Sequence, residues 1–172
     1  MQQVSCAAAA ILVLTVLCEG GEAIVSRGEL VEIGGDFRVP DLMRETGAQM
    51  VEVGTTNKTH VSDYENAITE NTKLITKVHT SNYRIVGFTA TPRVAELAEV
   101  AKQNGVLLYE DAGSGALIDL SEYGLRDEPL IAESIAAGAD VITFSGDKLL
   151  GGTQAGMVVG KAEVIARIRK HP

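Results

Sequence analysis

The chain has 172 residues, 45% of them apolar and 22% charged, with a net charge of -8. That apolar content excludes a disordered chain, and a domain of this length buries roughly 70% of its unfolded surface without disulfide staples. The acidic balance and an aromatic content of 4% with no Trp argue against nucleic-acid binding by these residues alone.

Met1 to Ser5 carry no Lys or Arg, and Cys6 to Cys18 form one apolar run. The run is far short of the ~20 residues that span a bilayer. Leu17 is too large for a usual signal cleavage site, so the run is predicted as a buried helix over Ala7 to Leu17. Its two cysteines make neither a disulfide framework nor a zinc site.

Glu22 to Ser26 read as a strand, followed by a Gly- and charge-rich loop over Arg27 to Gly35. Pro40 opens a helix that ends near Gly47. Met50 to Val53 are a strand, and Gly54 to Asn57 a turn. Ser62 and Glu65 form a capping-box pattern that opens a short helix. Lys73 to His79 are a strand, and a helix from Pro92 to Asn104 is stopped by Gly105. Val106 to Asp111 form a strand ending on an acid, and Leu130 to Ala137 a helix. Val141 to Ser145 and Gly156 to Gly160 are strands, and Glu163 to Lys170 are helical.

Strands alternating with helices predict an α/β fold, a three-layer αβα arrangement around a mostly parallel sheet. The link between the last two strands is too short for a crossover helix, so the final strand is expected to run antiparallel. Residues 1–172 read as one domain with no internal boundary. The start on a buried helix and the closing His171-Pro172 suggest a piece of a longer protein.

The predicted carboxyl ends of the strands are small or polar throughout, and ligands of open α/β sheets bind there. No strand is followed by GxGxxG, and neither GxxxxGK[ST] nor HExxH occurs. Nicotinamide, P-loop and metal chemistry are therefore poorly supported.

The strongest signal is SGDKLLGG at 145–152. Lys148 follows a buried strand and precedes an apolar pair. Desolvation there favours the neutral amine, the form that makes a Schiff base. Ser145 could donate to a phosphate, and Asp111 ends a neighbouring strand. A pyridoxal phosphate (PLP) enzyme needs such a lysine and such an acid for its pyridinium nitrogen. Its phosphate favours a helix N-terminus, which Ser5 and Cys6 could supply. Taken singly, Lys148 is an ordinary loop lysine, Asp111 a turn former and Ser5 an N-cap; only the ordered combination points to chemistry.

Five motifs in order carry a resemblance: SRGELVEIGG (26–35), VGTTNKTH (53–60), KVHTSNY (77–83), DAGSG (111–115) and FSGDKLLGG (144–152). From about Glu19 to Pro172 the chain resembles bacterial selenocysteine synthase, the L-seryl-tRNA(Sec) selenium transferase. The resemblance implies the type I aminotransferase fold, with PLP on Lys148. Asp111 falls at the ring-nitrogen position, and Ser145 at a phosphate contact. Ser5, Cys6 and Ser114 are further cofactor-binding candidates, and Arg27 and His79 lie in motifs near the active site. The Val4-Ser5-Cys6 stretch departs from the Asn-rich stretch usual in the family.

The implied reaction converts seryl-tRNA(Sec) to selenocysteinyl-tRNA(Sec) by β-elimination to an aminoacrylate and addition of selenium from selenophosphate. The implied setting is cytoplasmic, without a membrane, in a homo-oligomer with the site at a dimer interface. Basic contacts to tRNA would have to come from regions outside this chain. Two alternatives stay open. One is a PLP-dependent lyase or transferase for a small amino acid or amino sugar acid. The other is a non-catalytic α/β binding or oligomer-forming module.

Overall fold

A computed structural model describes residues 5–34, 37–125 and 128–171. Val4, Gly35 and Pro172, on which some of the expectations fall, lie outside the described residues.

The chain runs α1 (Cys6–Cys18), β1 (Glu22–Ser26), β2 (Glu32–Gly34), β3 (Phe37–Arg38), α2 (Val39–Glu45) and β4 (Gln49–Val53). It continues through α3 (Val61–Ala67), β5 (Thr72–Val78), α4 (Val94–Asn104), β6 (Leu107–Gly113) and α5 (Ile131–Ala136). β7 (Val141–Ser145), β8 (Gly156–Gly160) and α6 (Ala162–Ile168) complete it.

The main sheet has the order β4-β1-β5-β6-β7-β8. All its pairings are parallel except β7 with β8, where Val141 faces Gly160 and Ser145 faces Gly156. The α/β expectation and the antiparallel last strand both hold. One apolar cluster joins α1, α2 and α6 to one face of the sheet, and a second joins α3, α4 and α5 to the other. Period-2 alternation sorts the strands between them. Ala23, Leu74 and Tyr109 face the first cluster, and Ile24, Ile75 and Leu108 the second.

α1 is apolar all round because it lies between the sheet and the flanking helices, burying Val13, Leu14 and Leu17. Among the described residues, no helix is long and apolar enough to cross a membrane.

Several boundaries differ from expectation by one or two residues, the usual scatter at fraying ends. The cap of α3 is His60 rather than Ser62: Asp63 Oδ2 accepts from the His60 amide at 2.7 Å. α4 starts after Pro92, with Arg93 as its cap. The predicted loop after β1 contains a 3-10 turn over Arg27–Glu29 and strand β2, which pairs with β3 just beyond the loop. Strands of three and two residues are too short for an alternating pattern to register.

Candidate active site

Parallel strands β1, β5, β6 and β7 end side by side, so the residues just past them converge on one edge of the sheet. Asp111, near the end of β6, is 8% exposed and faces the α1 side. Its register partner on β7 is Thr143. Three donors meet on Asp111 Oδ1: the Thr143 hydroxyl at 3.0 Å, the Gly113 amide at 3.4 Å and the Cys6 thiol at 3.7 Å. Burial pushes the Asp111 carboxyl above the usual carboxylate range, opposed by these bonds and by the charge of Lys148.

Ser5 caps α1, its hydroxyl oxygen accepting from the Ala8 amide at 3.4 Å. The first-turn amides of a helix lack intrahelical acceptors, so this end of α1 favours an anion. The thiol of Cys6 ties it directly to Asp111. Burial and the nearby carboxylate push that thiol up to about 12.

Lys148 sits in the turn after β7. A β-carbon at Gly113 would stand 3.9 Å from Lys148 Nζ, so the amine lies against the bare backbone at the end of β6. It is within electrostatic reach of Asp111, Cys6 and His79. The turn is pinned by the Leu149 amide donating to Ser114 O at 3.1 Å and the Gly146 amide to Ala155 O at 2.8 Å. The burial expected for Lys148 is not met. It is exposed, with Leu149 and Leu150 each 39% exposed beside it. Apolar neighbours in sequence do not desolvate an amine when they too face outward.

Ser145 is buried, and its hydroxyl donates to Asp147 Oδ1 at 2.5 Å. His79 follows β5, and its amide donates to Asp111 O at 2.9 Å. Its Nε2 is buried without a hydrogen bond, 3.5 Å from Glu128 Oε2. Burial lowers the His79 pKa, with Glu128 opposing. Ser114 donates to the same Glu128 oxygen at 2.5 Å. Ser5, Cys6, Asp111, Lys148, His79 and Ser114 thus form one neighbourhood. Arg27 does not join it by any bond among the described residues. Its exposed guanidinium is paired with Glu52 on β4, across β1 from β5.

A cleft of about 950 Å³ opens beside this neighbourhood, with Ser26, Glu29, Lys77, His79, Asn82 and Glu128 among its lining residues. Asp111 and Lys148 do not line it; His79 and Glu128 join the two regions. In its floor Glu29 is 3% exposed, pairs with Lys77, and accepts from the Val78 amide at 3.0 Å.

Sequence reasoning missed Glu128, Thr143 and the Glu29–Lys77 pair. Thr143 left a signal, a hydroxyl inside the apolar run Val141-Ile142-Thr143-Phe144. Glu128 left none, since only the fold brings it to His79.

A family model described as L-seryl-tRNA selenium transferase matches residues 4–172. The chain belongs to that family. It is 57% identical over 166 residues to the L-seryl-tRNA(Sec) selenium transferase of Serratia proteamaculans, covering 96% of this chain and 36% of that one. The Rhizobium meliloti protein of the same name is 58% identical over 166 residues, with the same coverage. The chain thus spans 36% of the length of these relatives. Among solved structures, D-glucosaminate-6-phosphate ammonia-lyase superposes with a TM-score of 0.76 at 24% identity, over 97% of this chain and 44% of that one. A mutant aspartate aminotransferase of Thermus thermophilus gives 0.67 at 20%, over 96% and 42%. These two establish for the family member the aminotransferase-like fold that its sheet order displays.

Proposed function

We propose that this chain is the cofactor-binding part of an enzyme that converts seryl-tRNA(Sec) to selenocysteinyl-tRNA(Sec), with selenophosphate as selenium donor and PLP as cofactor. The observation that carries the reading is the Lys148 amine lying against Gly113, two residues past a buried Asp111 whose three bonds all fall on one carboxylate oxygen. Membership of the selenium transferase family supports the substrate assignment.

The residues present fit this cofactor. Asp111 Oδ2 is available to accept from a protonated ring nitrogen. The N-terminus of α1 at Ser5 and Cys6 suits the phosphate, with Ser145 and Ser114 as further hydroxyls nearby. When bound, PLP supplies a ring that draws electrons away from the substrate α-carbon. Lys148 Nζ would hold the cofactor aldehyde and would serve as the acid–base group for the proton at the substrate α-carbon, a role worth about 10²–10⁴-fold in rate. Asp111 would pair with the ring charge, and His79, its pKa lowered by burial, borders the site.

The exposure of Lys148, Leu149 and Leu150 supports a site closed by a surface beyond these residues. A second copy in a homo-oligomer, with the site at a dimer interface, would supply it. Basic contacts to tRNA would come from the remaining length of the protein.

The test uses the full-length protein loaded with PLP. Seryl-tRNA(Sec) plus selenophosphate should yield selenocysteinyl-tRNA(Sec), and Lys148→Ala should abolish both the visible absorption of the lysine-bound cofactor and turnover. Turnover of free serine alone would overturn the tRNA assignment. Absence of any Lys148-dependent absorption would overturn the cofactor assignment.

A further inference from the structure

A buried hydrogen-bond chain runs behind Asp111. Tyr109 and Asp111 are two residues apart on β6 and share a face; Thr143 is the register partner of Asp111 on β7. The Tyr109 hydroxyl lies 2.7 Å from Thr143 Oγ1, and Thr143 Oγ1 lies 3.0 Å from Asp111 Oδ1. Tyr109 is 2% exposed and Thr143 0%. The direction of the chain follows from its acceptor end. A carboxylate only accepts, so Thr143 gives its one proton to Asp111, and Tyr109 must donate to Thr143. Burial keeps the Tyr109 proton in place by raising its pKa well above 10.

The bonds around Asp111 are one-sided. Thr143, Gly113 and Cys6 all address Oδ1. A carboxylate held by three donors at one oxygen has a fixed rotation, and its other oxygen is left for a ligand.

We propose that Thr143, backed by Tyr109, is a positioning residue that fixes the Asp111 carboxylate with Oδ2 free for the cofactor ring nitrogen. This rests on the PLP reading of the site. Neither residue touches the cofactor; both act through Asp111. The Thr143 bond favours the ionised carboxyl and so offsets part of the desolvation that raises its pKa.

The groups that bear on the Asp111 carboxyl are Cys6 from α1, Lys148 from the turn after β7, and Tyr109 and Glu110 on its own strand, while from β5 the His79 amide holds the Asp111 backbone carbonyl. Removing the Thr143 donor lets desolvation raise the Asp111 pKa further. On acidification Asp111 then takes up its proton at a higher pH than in the native protein, and cofactor binding weakens sooner.

The experiment measures the PLP dissociation constant of the full-length protein against pH, by absorbance, for Thr143→Val, Thr143→Ser and Tyr109→Phe. Thr143→Val should weaken binding about tenfold or more, the worth of one hydrogen bond to a charged group. Its affinity should also decline at a higher pH than the native protein's. Thr143→Ser, which keeps the hydroxyl, should restore both. Tyr109→Phe should move both in the same direction by less, and it keeps the test alive if the valine variant fails to fold. A packing role alone would lower the melting temperature without moving the pH at which affinity falls. Native pH behaviour in both Thr143→Val and Tyr109→Phe overturns the proposal while leaving the PLP reading intact. A native protein without Lys148-dependent PLP binding removes that reading, and this proposal with it.

Discussion

Gly156 on β8 lies directly under Ser5 at the start of α1. A β-carbon at position 156 would stand 2.8 Å from the Ala9 β-carbon and closer still to the Ser5 carbonyl oxygen. The antiparallel strand therefore sets the depth at which the N-terminus of α1 reaches the site. Only a residue without a side chain permits that depth.

Gly156→Val should force α1 away from the sheet. Overpacking of this kind costs about 1–3 kcal/mol. The urea midpoint of the protein should fall, and PLP affinity should fall with it, because the helix terminus proposed for the phosphate moves. A stable variant with native affinity would show that α1 can shift without consequence for the site.

The Glu29–Lys77 pair is inside the fold, with the two side chains 4% and 16% exposed. Removing one partner strands the other, at a cost of about 3–5 kcal/mol. Glu29→Ala should therefore destabilise on that scale in urea denaturation, and it also orphans the Val78 amide. A loss under about 1 kcal/mol would mean the pair behaves as a surface one.

His79 gives stability a pH dependence. Burial lowers its folded-state pKa below the ordinary value of 6.5. Its contribution is thus present above about pH 6.5 and is lost as pH falls through the folded value. Between pH 7.5 and 5 the urea midpoint should drop more for the native protein than for His79→Asn. Equal slopes would exclude a desolvated, neutral His79.

Both thiols are held protonated, Cys6 up to about 12 and Cys18 to about 11, with burial the first cause in each. The thiolate is the reactive form. Native protein at pH 8 should alkylate with iodoacetamide far more slowly at both positions than urea-unfolded protein, as read by mass spectrometry. Asp111→Asn removes a carboxylate that raises the Cys6 pKa, so Cys6 labelling should speed up while Cys18 labelling stays unchanged.

Much of the architecture is legible in the chain itself. Alternation of short β-branched runs with helices forecasts the layered sheet, and the short link before Gly156 forecasts its one reversed strand. SGDKLLGG marks Lys148, and the acid closing a buried strand marks Asp111. These features depend on residues near one another in the chain, where propensity and period act. The pairing of Arg27 with Glu52 is not legible, since it depends on which strand lies beside β1. Nor is the exposure of Lys148, which is set by surfaces that do or do not cover it.

Composition and periodicity determined the architecture, because backbone hydrogen bonding and apolar burial follow local pattern, while the motifs SGDKLLGG and DAGSG marked Lys148 and Asp111 as candidates. Tertiary structure alone decided what surrounds them. Strand register set Thr143 against Asp111, and helix depth put Cys6 on the same oxygen. A loop from beyond β6 brought Glu128 to His79. These contacts join residues distant in sequence, and their strength depends on burial that no local pattern encodes.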